Sequence, residues 1–411
     1  MATLGERIKR LRKEQGLTLQ ALAGDGLTKG MLSLIENNKA NPSMESLSYI
    51  AERLGIDRTE LLQEMPTAEL RALLDEIEEK RRKVSGTDEQ MLRAYTEIAE
   101  HIHPYVEKLP FRYESARLLE IYSRCCYHSK RYDWKPAFDR AEEIYEQLHL
   151  INSVADLHMF RALMKFTEHR YAEALASLQE SRKLIEEQSG SLDPLKKLDF
   201  DYYESILCSA TGDKKNARRL MEEAIAYSKE HQIFYQINAL YRLAGFEAML
   251  AGDLERKDYY VGKLKLFAEF SDDPEIAAYA HAIEIHYWNS FTHEYEKADR
   301  LLEETRQLLD EEDFYFLEKG KALFGMGRIE EALECFKQHR MNRFIHHPYD
   351  LAMHYEKEAY MALIYEQLGD HEQAKTYAQK AKELIEPMSE LPHKRFILET
   401  YRKIFAQADG Y

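Results

Sequence analysis

The first 65 residues carry apolar side chains at intervals of three and four residues, the spacing that gives a helix one buried face. Leu4, Ile8 and Leu11 form the first series, and Gly16 ends it. Further series begin after residues that commonly start helices, namely Thr18, Thr28, Asn41-Pro42-Ser43 and Thr59. The pattern therefore predicts five short helices packed into a small all-α domain.

Two of these predicted helices form a helix-turn-helix pair. Residues 19 to 24 and 28 to 36 are joined by a tight turn that contains Gly24 and Gly26. Such a pair fits its second helix into the DNA major groove. Leu32 and Ile35 should be buried, which leaves the other face for base edges and phosphates. The predicted DNA-binding residues are Thr28, Lys29, Gly30, Ser33, Leu34, Asn37 and Lys39.

The net charge of −16 over 411 residues would by itself argue against DNA binding. The charge is unevenly distributed, however, because residues 1 to 65 carry 9 Lys/Arg and 9 Asp/Glu and are neutral. Basic residues cluster on the first predicted helix: Arg7, Lys9, Arg10, Arg12 and Lys13. A locally basic face can meet phosphates while the acidic remainder of the chain stays away from the duplex.

The N-terminal sequence resembles the Cro/repressor-like (XRE) helix-turn-helix family. The matching residues are Leu17-Thr18, Leu22-Ala23, Thr28, Ile35-Glu36, Asn37, Lys39, Asn41-Pro42-Ser43, Leu47, Ile50-Ala51 and Leu54-Gly55. The resemblance implies a five-helix DNA-binding domain over residues 1–64, with Arg12 paired to Glu36 inside it. Leu19 stands where the family usually has Gln, and the turn Gly24-Asp25-Gly26 is one residue shorter than usual. We therefore expect one copy of the domain to have modest sequence specificity, so that a dimer is needed for a useful affinity.

The sequence after this domain predicts a connector helix within residues 65–87 and a repeat over residues 88–411. A tight turn recurs before the start of a helix, as in Gly212-Asp213 and Gly369-Asp370. A position that is usually small follows each turn, at spacings of 34 to 43 residues: Lys135, Ala174, Ala217, Lys257, Ala298, Ala332 and Ala374. This pattern resembles tetratricopeptide repeats, which stack helix pairs into an α-α superhelix with a concave side.

In that repeat class, the first helix of each pair lines the concave side. Transferring the pattern to this chain places aromatic and apolar residues there, among them Phe166, Ile206 and Ser209, together with Arg and Asn. Such a surface suits a short extended peptide, since Asn can bond a peptide backbone and Arg a carboxylate. Packing of helix on helix explains any single one of these residues at least equally well. The predicted peptide-binding residues are Arg124, Tyr202, Asn238, Arg242, Phe246 and Tyr287.

The sequence offers little support for other kinds of chemistry. His101 with His103, and His346 with His347, lack a Cys or carboxylate at ligand spacing, so no metal site is expected. The four cysteines are expected to be reduced thiols. No phosphate-binding glycine loop or nucleophile elbow is apparent, so neither catalysis nor a cofactor is expected. Without a signal segment or a long apolar run, the chain is expected to be cytoplasmic.

An XRE-type domain followed by tetratricopeptide-like repeats resembles the peptide-responsive quorum-sensing transcriptional regulators of Gram-positive bacteria, the RRNPP group with its PlcR/NprR-like members. The resemblance implies a homodimer or tetramer that binds a double-stranded DNA operator and is controlled by a short signalling peptide in the concave groove. Two alternatives stay open. The repeats could bind a response regulator or regulate its dephosphorylation, as in Rap proteins, or the chain could be a repressor whose repeats only oligomerise. No membrane partner is expected.

Overall fold

The computed structural model describes residues 4–57, 61, 67–85, 88–189, 192–309 and 311–408. Throughout these ranges the regular secondary structure is helical and includes no strand, which confirms the all-α prediction. The chain divides into two compact units, Met1–Leu157 and His158–Tyr411. The domain boundaries at residues 64 and 87 stay predictions.

The N-terminal part of the first unit has four helices in its described residues, packed around one apolar core. They are α1 (Leu4–Glu14), α2 (Leu19–Ala23), α3 (Lys29–Glu36) and α4 (Met44–Leu54). Ile8, Leu22, Leu32 and Ile50 have no exposed surface and form the centre of this core. The predicted fifth helix begins at Thr59, which lies outside the described residues.

Consecutive helices, most of them packed against the next one, make up the rest of the chain. They are α5 (Thr67–Arg82), α6 (Asp88–Ile102), α7 (Tyr113–Ser129), α8 (Lys135–Gln147), α9 (Ile151–Thr167), α10 (Tyr171–Ser189), α11 (Pro194–Ala210), α12 (Lys214–Glu230), α13 (Ile237–Leu250), α14 (Leu254–Ser271), α15 (Pro274–Tyr287), α16 (Tyr295–Thr305), α17 (Phe316–Gly325), α18 (Ile329–Gln338), α19 (Pro348–Gln367), α20 (His371–Ile385) and α21 (Pro392–Ala408). Short 3₁₀ or π-helical turns occupy His103–Lys108, Trp288–Thr292, Arg306–Leu308 and Glu311–Tyr315. None of the helices in the described ranges combines the length and the apolarity needed to cross a lipid bilayer.

The predicted connector corresponds to α5, which packs against α6 and α7 inside the first unit. Its apolar residues Leu70, Leu73 and Ile77 are buried there. A polar contact supports the same packing, because Arg117 Nε donates a hydrogen bond to Glu78 Oε1 at 2.7 Å. The apolar face of the connector is therefore covered by this chain itself.

The turns inside the helix pairs share one geometry. A residue in the left-handed region ends the first helix, and in four turns it is a glycine, the residue that adopts this conformation without strain: Gly212, Gly252, Gly327 and Gly369. The following Asp often caps the second helix, as when Asp213 and Asp370 each accept a hydrogen bond at 3.1 Å from a backbone N–H three residues on. Four residues after the cap, most repeats bury an alanine that lets the two helices approach: Ala174, Ala217, Ala298, Ala332 and Ala374.

The first repeat departs from the register that the sequence suggested. Lys130 has the left-handed φ of 56°, but a longer connection follows it and α8 begins only at Lys135. The position that holds alanine in other repeats is therefore occupied by Phe138, which is 1% exposed, and the assignment of Lys135 was wrong. Lys257 does occupy this position in its own repeat, buried with its Nζ 2.7 Å from Asp258 Oδ1.

A network of charged side chains with almost no exposed surface joins α15, α17, α19 and α21 in the second unit. Lys321 Nζ lies 3.1 Å from Glu318 Oε1 and 2.8 Å from Glu356 Oε2, and none of these side chains is more than 5% exposed. His286 Nδ1 lies 2.8 Å from Glu318 Oε1, and His393 Nδ1 lies 2.5 Å from Glu356 Oε1. The network therefore links four helices through ionic hydrogen bonds.

The carboxyl groups of this network are ionised despite their burial. Burial by itself would raise their pKa values, because it disfavours the charged form. The Lys321 ammonium outweighs that effect at Glu318 and holds its pKa well below the usual range. His393 and Lys321 lower the pKa of Glu356 to about 2. Lys321 is consequently the cation that two buried carboxylates depend on.

We expect Lys321→Met to destabilise the second unit by about 3–5 kcal/mol, because two buried carboxylates would lose their cation. Urea unfolding followed by Trp288 fluorescence would measure this, in a Trp134→Phe background since the chain has 2 Trp. The control is Lys337→Met, which removes an exposed lysine that pairs with Glu334 and should change stability little. Equal losses in both variants would contradict the role given to the network.

Candidate functional site

Two threonines hold the starts of the helix-turn-helix pair. Thr18 Oγ1 accepts a hydrogen bond from Ala21 N, and Thr28 Oγ1 accepts one from Met31 N, both at 3.1 Å. Each hydroxyl thereby satisfies one of the amides that the first turn of a helix leaves free. Thr28, a predicted DNA contact, is thus first of all the cap that positions α3. The remaining free amides of that helix start are suited to a phosphate.

The turn between α2 and α3 packs directly on Tyr49 of α4. Gly26 N donates a hydrogen bond to Tyr49 Oη at 3.0 Å. A Cβ atom on Gly24 would lie 2.4 Å from Tyr49 Oη, and a Cβ on Gly26 would lie 2.5 Å from the tyrosine ring. Gly24 also has a left-handed φ of 51°. The short turn seen in the sequence therefore needs both glycines for its close approach to α4.

Arg12 of α1 and Glu36 at the end of α3 form a buried ion pair. Arg12 Nε donates to Glu36 Oε1 at 2.6 Å, and Arg12 Nη2 donates to Glu36 Oε2 at 2.8 Å. Arg12 is 8% exposed and Glu36 is 2% exposed. The pairing implied by the family resemblance is confirmed. Both residues hold α3 against α1 and are not available to DNA.

The face of α3 opposite the core is exposed and carries basic and apolar side chains. Lys29 and Gly30 are exposed, and Ser33 is half-buried. Met31 and Leu34 expose 45% and 44% of their surface, which suits contact with thymine methyl groups. Met31 was not among the predicted contacts. Its spacing of three residues from Leu34 on a short helix is the signal that could have identified it.

Asn37 and Lys39 follow α3 and differ in what they can do. Asn37 Nδ2 donates to Ser33 O at 2.8 Å, so this side chain mainly closes the end of the helix. Lys39 is exposed, as is Lys29, and neither has an ion-pair partner among the described residues. Both ammonium groups are therefore available to phosphates.

A cavity of about 530 Å³ lies within the second unit. Its walls come mainly from α11, α13, α15 and α19, which are the first helices of their pairs, and from the segment 344–348. Most of the lining side chains are apolar or aromatic, with a few polar groups between them. Both the size and the lining are typical of a site for a small ligand.

Three of the six predicted peptide-binding residues line this cavity, namely Tyr202, Arg242 and Phe246. The other residues that the repeat pattern placed on the inner side and that line it are Phe166, Ile206 and Ser209. The repeat pattern thus brought together side chains from three successive first helices, α9, α11 and α13. Their assignment to a peptide stays a prediction.

The structure places the other three predicted residues elsewhere. Asn238 and Tyr287 are half-buried on α13 and α15 and are not part of the cavity lining in the described residues. Arg124 belongs to the first unit. There its Nη2 lies 2.9 Å from Glu120 Oε1 and donates a hydrogen bond to Asp156 O at 3.1 Å.

Arg242 presents a guanidinium to the cavity, whose wall also includes the carboxylate of Asp350. Its Nη2 donates to Tyr202 Oη at 3.4 Å, and its Cζ lies 4.5 Å from the centre of the Tyr279 ring. In the described part of the chain, no Asp or Glu oxygen comes within the 4.0 Å of an ion pair with it. Glu247, in the same wall, instead lies 3.4 Å from Arg256. A guanidinium in such a place is well suited to an incoming anion.

The C-terminal side of the cavity was not predicted. Phe344, His346 and His347 line it, together with residues of the turn Glu311–Tyr315. These residues lie in connections that do not follow the repeat, so the repeat pattern could not be carried over to them.

Known protein families match the two ends of the chain separately. A helix-turn-helix domain matches residues 5–64, and a tetratricopeptide repeat matches residues 361–387. The HTH-type transcriptional regulator SinR of Bacillus licheniformis is 39% identical over 74 residues, which are 18% of this chain and 67% of that protein. The chain belongs to the helix-turn-helix transcriptional regulators. In this regulator, tetratricopeptide-like repeats follow the DNA-binding domain, which is the RRNPP-type architecture that the sequence predicts.

Solved structures of similar fold include two signalling proteins. PlcR of Bacillus thuringiensis, in complex with the peptide PapR7 and DNA, is 17% identical with a TM-score of 0.36, over 69% of this chain and 99% of that chain. A Rap protein complexed with competence and sporulation factor is 14% identical with a TM-score of 0.42, over 97% of this chain and 99% of that chain. At these TM-scores the likeness carries no functional inference.

We expect the double variant Lys29→Ala, Lys39→Ala to bind DNA more weakly than the unchanged regulator. Each lost phosphate contact should also reduce the slope of log Kobs against log salt concentration by about 1. The measurement is a salt titration by fluorescence anisotropy, on a duplex selected by the unchanged regulator from random sequences.

The control for this prediction removes the same charge from the second unit. Lys183→Ala combined with Lys337→Ala takes away two exposed lysines on α10 and α18 and should leave the salt slope unchanged. If both double variants behaved alike, Lys29 and Lys39 would not be phosphate contacts.

Proposed function

We propose that this regulator binds a double-stranded DNA operator through α3 and that a short signalling peptide in the cavity of the second unit controls this binding. The observation that carries the peptide part is Arg242, whose guanidinium lies in the wall of a mostly apolar cavity, where it contacts the Tyr202 hydroxyl and the Tyr279 ring and has no ion-pair partner among the described residues. A peptide supplies apolar side chains that match the apolar wall and a carboxylate that can pair with the Arg242 guanidinium.

The exposed face of α3 supports the DNA part of the proposal. Lys29 and Lys39 supply positive charge, and the free amides at the start of the helix add hydrogen-bond donors for phosphates. Ser33, Met31 and Leu34 are the side chains placed to contact base edges. They offer no pair of donors that could bind one base at two points, so base selection by one copy is modest.

The composition of the cavity wall supports a peptide over other ligands. Apolar walls favour burial of Leu- or Phe-like side chains at about 25 cal/mol per Å². Arg242 would bind the terminal carboxylate or an acidic side chain, and hydrogen bonds to charged groups contribute about 1.5–3 kcal/mol each. The hydroxyls of Tyr202 and Ser209 lie in the same wall and can bond the peptide backbone.

In this proposal, the peptide controls DNA binding because its affinity differs between two arrangements of the repeat helices. A peptide that binds one arrangement of the repeat helices more tightly shifts the population towards it. The regulator acts as a homodimer or tetramer, and two copies of α3 must be spaced by one helical turn of DNA or a multiple of it. A change in that spacing becomes a change in operator affinity.

We expect Arg242→Gln to weaken binding of peptides that carry a free carboxyl terminus by at least about tenfold, because the bond to a buried cation is lost. The probe is a pool of apolar synthetic heptapeptides, each made as the free acid and as the terminal amide. Affinities are measured by fluorescence polarisation. Amidation of a bound peptide should lower its affinity for the unchanged regulator by the same factor as Arg242→Gln lowers the affinity of the free acid.

Arg219→Gln is the matched control, because Arg219 is exposed on α12 and pairs with Glu223. It should leave peptide affinity as it is, and both variants should bind operator DNA normally without peptide. Free-acid peptides that bind Arg242→Gln as tightly as the unchanged regulator would refute the role of Arg242. A different outcome would favour a repressor whose repeats only oligomerise. In that case the repeats would bind no peptide of the pool, and the operator footprint would not depend on peptide.

A further inference from the structure

Two histidines and one aspartate converge at the edge of the cavity, within the second unit. His354 Nε2 lies 3.4 Å from Asp313 Oδ1, and His339 Nε2 lies 3.9 Å from the same oxygen. One nitrogen of each histidine and one oxygen of the aspartate all lie within 4.8 Å of one another. The planes of the two imidazole rings differ by 21°, and His339 Nε2 lies 3.0 Å from His354 Nδ1 in a hydrogen bond that a bound ion would replace.

The three side chains come from three different elements. Asp313 is in the π-helical turn Glu311–Tyr315, His339 directly follows α18, and His354 is in α19. His339 is 3% exposed and His354 is 4% exposed, so both donors are already held by the surrounding protein. Preformed donors on separate elements are what a metal site requires, because little ordering is left for the ion to do.

We propose that Asp313, His339 and His354 bind one divalent transition-metal ion of the zinc class. Ligands bound to Zn²⁺ at 2.0–2.2 Å in tetrahedral geometry are about 3.3–3.6 Å apart, which the measured separations of 3.4 and 3.9 Å approach. Two imidazoles with one carboxylate suit zinc and its neighbours and are a poor set for Mg²⁺ or Ca²⁺.

Three protein ligands leave one tetrahedral position open. Asp313 and His354 line the cavity, so the ion has a path of entry from the cavity and its open position is accessible from there. Water or a ligand carboxylate would fill this position. The ion would also strengthen the link between the turn Glu311–Tyr315 and α19, two parts of the cavity wall. The site does not depend on the identity of the cavity's ligand.

The test uses the full chain without an affinity tag, stripped of metal, and Zn²⁺ or Co²⁺ as the probe. Equilibrium dialysis with elemental analysis should give one ion per chain. The Co²⁺ form should show the visible absorption of a four-coordinate ion, without the near-ultraviolet band of a thiolate ligand, which separates this site from Cys335 nearby. His354→Gln and Asp313→Asn should each lower the affinity by at least about 100-fold, since a direct ligand is lost.

His371→Gln is the control, because His371 is an exposed histidine of α20 with 65% of its side chain accessible. It should bind the ion as the unchanged chain does. Asp313→Asn keeps the size and shape of the side chain, including an oxygen that can accept the hydrogen bond from Asn342 N, so its metal affinity decides the matter if His354→Gln does not fold. The proposal is overturned if the unchanged chain takes up no ion, or if Asp313→Asn binds it with unchanged affinity.

Discussion

An ammonium group taken fully out of water costs several kcal/mol unless carboxylates replace its hydration. Lys321 is held in this way by Glu318 and Glu356, and each carboxylate is held in turn by a histidine. The side chains come from α15, α17, α19 and α21, so all four helices must be in place before any of these charges is satisfied. A half-satisfied buried network is worse than an apolar core. The network therefore specifies one arrangement of the C-terminal helices. It also reaches the cavity, because His286 Nε2 lies 2.8 Å from Tyr349 Oη in the cavity wall.

Two arginines show how the same group can serve structure or binding. Arg12 donates hydrogen bonds to both carboxylate oxygens of Glu36, so these N–H groups are satisfied inside the DNA-binding domain. Arg242 donates a hydrogen bond of 3.4 Å to the Tyr202 hydroxyl and lies over the Tyr279 ring. These two contacts replace only part of the hydration of its guanidinium. The first arrangement is complete without a ligand, whereas the second leaves N–H groups that an anion completes in the proposed function. This difference in partners is the reason for assigning Arg242 to the ligand and Arg12 to the fold.

Features with local causes were predictable from the sequence. Thr18 and Thr28 cap their helices because a hydroxyl three residues before a free amide is all that a cap needs. Tyr202 and Arg242 could be placed in one wall because the repeat carries a residue from one helix pair to the next. Features that depend on irregular connections could not be predicted. The insertion after Lys130 moved the first repeat out of register, and Asp313 meets His354 only through turns and loops that no repeat describes.

The exposed face of α3 indicates which part of the protein controls DNA binding. Its outward side chains are the exposed Met31, Leu34 and Lys29 beside the half-buried Ser33, so in the proposed complex phosphates and helix-start amides supply most of the affinity of one copy. Contacts of this kind hardly distinguish one sequence from another. In the proposed function, specificity arises when two copies bind at a fixed spacing, because the second contact forms at an effective concentration set by the protein between them. Each 1.4 kcal/mol of strain in that spacing changes the affinity tenfold. On this proposal, a ligand that favours one arrangement of the repeat helices by a few kcal/mol is sufficient to switch the operator between bound and free.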